Sequence, residues 1–235
     1  MYKLSKAPLL IFSAALLTAS GPGWTDKPIQ QWNEDDAKAI LMGSAWVKHA
    51  PVSLLPKISE GQMRDAGRMG SGHGVGLAAL RVSSLTGTGT TTQGTSRRRA
   101  RRSVPTGLDV RWESALPVRT AEKAANEDDP PAWDGEMYAV AVYDVPGIDV
   151  DDVGQARELQ GTAFLKRDGK KELRAAQVKL LPQEGDLTTV VYLFPRSEKI
   201  TLEDKRVEFE ARFGRLFVAQ YFYMQEMQFQ GRLEL

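Results

Sequence analysis

Cysteine is absent from the 235 residues. That excludes disulfides, thiolate metal sites and a lipid-modified N-terminal cysteine, so the fold has to hold by its core alone. Histidine is almost as scarce, with only His49 and His73. A Ser–His–Asp triad would have to recruit one of these two, and neither lies in a segment that reads as rigid enough to hold a catalytic group. Beyond the N-terminus no apolar run reaches the roughly 20 residues that a bilayer-spanning helix needs. Strands and helices do not alternate in the way that builds a parallel sheet.

What is present first is an export signal. Lys3 and Lys6 precede the apolar run Ala7–Ala19, and Thr18 and Ser20 stand as small residues three and one before Gly21. This is the pattern of a secretory signal peptide over residues 1–20. Gly21, Pro22 and Gly23 stop the run short of a span. The expectation is a periplasmic or extracellular chain with no integral membrane span after cleavage.

Residues 21–58 read as an N-terminal helical segment. Asn33 can cap a helix whose first turn carries Glu34, Asp35 and Asp36, with Trp32 stapled onto Ala37. Ala37, Ile40, Leu41 and Ala45 repeat at helical spacing, Trp46 closes the segment, and Pro51 ends any continuation.

From 59 to 106 glycines recur with no apolar period except the short patch Val75–Leu80, and 86–96 is almost entirely Gly, Thr, Ser and Gln, a composition that buries too little to offset the entropy of ordering. This reads as a flexible insertion. Inside it Arg97, Arg98, Arg99, Arg101 and Arg102 crowd five cations into six residues. The whole chain carries a formal charge of only +1, so the remainder leans acidic. Such a run would bind phosphates, acidic polysaccharide or an anionic surface. The plainer reading is a solvated charge cluster in a linker. No aromatic residues interleave it, which argues against a stacking-type nucleic-acid site.

Residues 107–235 read as the β-rich domain. Leu108, Val110 and Trp112 alternate with Asp109, Arg111 and Glu113, so one face of this strand is buried. Pro117 suits the start of a short helix over 118–125. The run 137–145, apolar and aromatic apart from Asp144, fits a central strand covered on both sides. Asp149 or Asp151 could cap a helix over 155–159. Asp168-Gly169 suggests a tight hairpin between 161–167 and 170–181, placing Phe164 opposite Leu173 and Lys166 opposite Lys171. The last fifty residues then read as strands at 188–194, 206–213, 216–223 and 227–235. The predicted fold class is mainly β with minor α: an antiparallel β-sandwich or barrel-like sheet with two or three short helices.

Sharper motifs fail on inspection. Gly70–Gly76 lacks the Lys-Ser/Thr of a phosphate loop and breaks G-x-G-x-x-G at Val75. Asp149, Asp151 and Asp152 do not meet EF-hand spacing, since Val153 and Gln160 occupy ligand positions. Trp112 at an alternating position fits a core better than a sugar platform. The sequence therefore assigns no catalytic residue, no cofactor and no metal ligand.

The stretches Trp32–Asp36 with Ile40-Leu41, Ser44 and Trp46, then Val110–Val118, and finally Leu193–Ser197 through Gly231–Leu235, are similar to uncharacterised secreted proteins of acidobacteria. The similarity covers the ordered parts and skips the insertion. It implies a diderm bacterium and residence outside the cytoplasm, and it brings no activity or site residue. The leading expectation is a secreted, non-enzymatic β-rich domain with a binding or structural role toward an envelope protein or polysaccharide. The alternatives are a carboxylate-dependent polysaccharide hydrolase, needing two acids about 5–10 Å apart in a groove, and polyanion binding through Arg97–Arg102.

Overall fold

The computed structural model describes residues 23–56, 104–125 and 135–235. The signal segment, His73, Arg97–Arg102 and the Asp128–Pro131 loop lie outside the described residues. In chain order the elements are α1 (Glu34–Gly43), β1 (Val47–Leu54), β2 (Gly107–Trp112), α2 (Leu116–Ala124), β3 (Met137–Pro146) and α3 (Val153–Gly161). Next come β4 (Phe164–Arg167), β5 (Leu173–Arg174), β6 (Gln177–Pro182), β7 (Leu187–Pro195), β8 (Arg206–Phe213), β9 (Leu216–Tyr223), β10 (Gln228–Phe229) and β11 (Arg232–Leu233).

Nine strands form one antiparallel sheet in the order β5-β4-β8-β9-β1-β2-β3-β7-β6, curled into a half-barrel. The mainly β class with minor helices follows. The curl turns on β1. Its first part, Val47–Pro51, pairs with β2, and its last part, Val52–Leu54, pairs with β9. Pro51 sits at the handover, where its missing N–H falls between one ladder and the next. The sequence places this stretch in a helical segment that Pro51 brings to an end, and the structure makes Val47–Leu54 a strand instead. Tertiary pairing overrides that signal, because the proline occupies the position where no ladder bond is lost.

Period-two burial then builds the core. In β8 the side chains of Val207, Phe209, Ala211 and Phe213 are buried, while Arg206 and Arg212 are exposed. Those inward rings meet the other wing of the sheet: Tyr192 lies 5.8 Å from Phe209 and 6.2 Å from Phe213, centroid to centroid. Phe194 meets Phe209 edge-on at 6.3 Å, and Trp112 meets Phe222 edge-on at 5.4 Å. Removing one such ring, as in Phe209→Ala, typically costs about 3–5 kcal/mol.

The helical segment joins this same core. Asn33 caps α1 as expected, and Asp36 completes a capping box with it, Asn33 Oδ1 accepting from the Asp36 amide at 2.9 Å. Lys27 bonds the Asp36 carboxylate at 2.7 Å and holds it below its usual pKa. Trp24, Trp32 and Phe229 pack ring on ring, and Trp24 also meets Trp46.

Three local readings need correction. The run 170–181 is two strands: β5 pairs with β4, the chain crosses at Ala175-Ala176, and β6 pairs with β7 at the opposite edge. Phe164 therefore faces Arg174 rather than Leu173. Lys166 bonds Glu210 at 2.6 Å, so the like-charge pair with Lys171 does not arise. Residues 227–235 do not extend the sheet. They fold back as a separate β10–β11 hairpin around Gln230 and Gly231, with φ of 49° and 76°. Two consecutive positive φ values are what a type I′ turn needs. Finally, Asp152 rather than Asp149 or Asp151 caps α3, accepting from Gly154 and Gln155.

Candidate functional site

His49, expected in a loose segment, stands on β1. Its Nδ1 lies 2.7 Å from Asp109 Oδ1 across the β1–β2 ladder. Its ring lies over Gly107, where a Cβ would come within 2.2 Å of Nε2. The glycine makes room for the imidazole, which is why the ring can settle there. The pair is exposed, and two members of a triad do not supply a nucleophile. Asp149 Oδ1 accepts from the Asp151 amide at 3.1 Å, and Asp152 serves its helix cap. Among the described residues no group of three or more His, Cys, Asp or Glu is placed to hold a metal ion.

The densest charge cluster is buried. Arg111 leaves the outward side of β2, and Glu113 follows in the turn after it, next to Tyr143 of β3 and Glu122 of α2. Arg111 Nε donates to Glu113 Oε1 at 2.8 Å, and Arg111 Nη2 donates to the Tyr143 hydroxyl. That hydroxyl donates in turn to Glu113 Oε1 at 2.5 Å, and Glu122 lies 3.7 Å from Arg111 Nη1. The side chains of Arg111, Glu113 and Glu122 are only 9%, 3% and 5% exposed. A β-bulge between Val142 and Val145, with Asp144 at φ 56°, lies beside Tyr143.

The electrostatics of this cluster read as a clamp. Burial works against the Arg111 charge, but Glu113, Tyr143 and Glu122 outweigh it and hold its pKa above the ordinary guanidinium value. Burial first, then the Glu113 charge, pushes the Tyr143 hydroxyl well above the usual phenol range. A phenol held protonated is a donor and a poor nucleophile. The two glutamates flank a shared cation inside the protein, whereas hydrolysis needs two acids opening onto a groove with room for a sugar. What this arrangement does is tie β2, β3 and α2 together.

A different chemistry lies on the outward face of β4, β8 and β9. Because β8 points Val207, Phe209, Ala211 and Phe213 inward, it points Arg206, Glu208, Glu210 and Arg212 out. Across the ladder these oppose Tyr223, Tyr221, Ala219 and Phe217 of β9. Tyr221 and Tyr223 are 38% and 45% exposed. The Arg206 guanidinium sits 5.0 Å above the Tyr221 ring and bonds Asp168 at 3.2 Å. Glu208, its partner across the ladder, raises the Tyr221 pKa. On β4, Lys166 bonds Glu210 at 2.6 Å, which raises the lysine pKa. Arg174 of β5 lies over Phe164 at 5.1 Å and bonds Glu172 at 2.7 Å. The result is a surface of presented rings among charges already paired with one another.

The sequence named none of these tyrosines. The signal was there in the parity of β9, whose even positions are inward; reading Tyr221 and Tyr223 as outward needed the register with β8. Trp112, by contrast, is fully buried, as its alternation suggested. No helix among the described residues is long and apolar enough to cross a membrane. No protein-family model, curated protein or solved structure matches the chain.

Proposed function

We propose that the protein is an exported, non-enzymatic β-rich domain whose outward β4–β8–β9 face contacts an envelope or extracellular partner. The observation that carries the reading is the exposure of Tyr221 and Tyr223 side by side on a rigid sheet. Tyrosine supplies an apolar ring with a polar tip, which is why it is enriched where proteins meet partners. Export is supported by the Lys3, Lys6 and Ala7–Ala19 pattern and by the acidobacterial resemblance. The buried Arg111 cluster supports a structural rather than a hydrolytic role for Glu113 and Glu122.

The test places a photo-crosslinking amino acid at position 223 of the full precursor, expressed in a diderm host. Position 150, also exposed, serves as control. The proposal expects a processed chain in the envelope fraction and an adduct formed from 223 but not from 150. A chain retained in the cytosol, or the same adducts from both positions, would overturn it.

A further inference from the structure

We infer that the outward β4–β8–β9 face takes a neutral polysaccharide, with the rings of Tyr221 and Tyr223 as its stacking platform. This rests on the binding-face reading above and names the ligand class. Residues two apart on one strand face sit about 7 Å apart, so the two rings form a short row along β9. Sugar rings present C–H faces to such aromatics and hydroxyls to the groups around them. Arg206 covers one side of Tyr221 and Glu208 stands directly across the ladder from it, so the ring is flanked on the sheet before any ligand arrives. Flanking it beforehand lowers the ordering cost of binding.

Charge selects the ligand class. On this face Lys166 is paired with Glu210, Arg206 with Asp168, and Arg174 with Glu172. Arg212, the fourth cation, donates to the Gly214 carbonyl instead, and Glu208 balances it in charge, so the face offers little net field to draw a polyanion. The same paired groups can exchange hydrogen bonds with neutral hydroxyls. A protein partner fits less well. Stable protein interfaces carry an apolar centre depleted of charge, whereas here the middle strand of the face, β8, presents Arg206, Glu208, Glu210 and Arg212, and Ala219 and Phe217 lie on the neighbouring β9.

Affinity gel electrophoresis of the full chain tests this with laminarin and arabinoxylan as neutral glycans and polygalacturonate and heparin as anionic ones. At least one neutral glycan should retard the chain. The double variant Tyr221→Ala/Tyr223→Ala should weaken that retardation about tenfold or more, given the worth of two stacked rings. Tyr221→Phe/Tyr223→Phe, which keeps both rings, should stay within about threefold of the parent, the change expected from losing modest hydroxyl contacts. Circular dichroism checks that all variants keep the fold, as substitutions at exposed positions should. Retardation by anionic glycans alone, by none of the four, or equally in the alanine variant would overturn the inference. If it is overturned while position 223 still crosslinks to an envelope protein, the face is a binding surface and only the ligand class is wrong.

Discussion

Replacing Arg111 by Met removes the cation that three partners share and leaves Glu113 and Glu122 buried without it. Breaking a buried ion network from one side typically costs about 3–5 kcal/mol, because the remaining charge stays desolvated. The burial of Arg111, Glu113 and Glu122 places this cluster in that class rather than among surface pairs, which are worth about 0–1 kcal/mol. For a chain of this size each kcal/mol moves the melting temperature by about 2–4 °C, so the variant should melt roughly 6–20 °C lower. Urea denaturation followed by tryptophan fluorescence gives the free energy directly, since Trp24, Trp32, Trp46 and Trp112 are all buried. The companion variant Arg111→Met/Glu113→Leu/Glu122→Leu should recover most of the loss, as whole buried networks often can be replaced by apolar groups. A single variant within about 1 kcal/mol of the parent would refute the clamp, because that is the range of an exposed pair. A triple variant no better than the single would also refute it.

Other consequences follow from individual groups. Tyr192→Phe should leave stability unchanged or raise it by about 1 kcal/mol in urea melts, since its fully buried hydroxyl has no hydrogen-bond partner among the described residues. A loss above about 1 kcal/mol would show that the hydroxyl makes a bond of ordinary worth. Burial raises the pKa of both Tyr192 and Tyr143 above the unfolded value of about 10. Their contribution is therefore fully present below about pH 10 and is lost as pH climbs toward the folded values. The alkaline fall in the urea midpoint should be shallower in Tyr143→Phe than in the parent; parallel curves would argue against the assignment. Asp204 moves the other way. Burial opposes its charge, but Lys170 at 2.6 Å and the Thr201 amide overcome this and lower its pKa. Its contribution is present above the unfolded carboxylate pKa and disappears as pH falls through the folded one, so Asp204→Asn should flatten the acid limb of the stability curve. Gly231→Ala should cost about 1 kcal/mol or more in the same melts because its φ of 76° suits glycine; no change would count against the β10–β11 turn as drawn.

Much of the architecture could be read before any coordinates. The alternation in 206–213 and 108–113 told which side chains face inward, and Asn33 with Asp36 announced the helix start. What escaped were features set by partners distant in sequence. β1 was hidden because a proline speaks against a central strand, and only the change of ladder partner at Pro51 makes it acceptable. The split between β5 and β6 was hidden because 170–181 looks like one extended run; the crossing at Ala175-Ala176 depends on β7, which arrives later in the chain. Glu113 reads as a wetted position by strand parity. It is buried because Arg111 and Tyr143 bond it from two neighbouring strands, with Glu122 of the helix beside Arg111. The outward tyrosines escaped for a related reason: β9 carries aromatic residues at both parities, with Phe222 inward and Tyr221 and Tyr223 outward, so composition alone does not separate core from surface.

The most direct check on the central claim is an amide chemical-shift map of the full chain titrated with laminarin and, separately, arabinoxylan. Shifts should gather on β8 and β9 around Arg206, Glu208, Tyr221 and Tyr223, with the Arg111–Tyr143 cluster silent. Shifts centred on Arg111, Glu113 and Tyr143, or on His49 and Asp109, would place the working surface elsewhere and contradict the account.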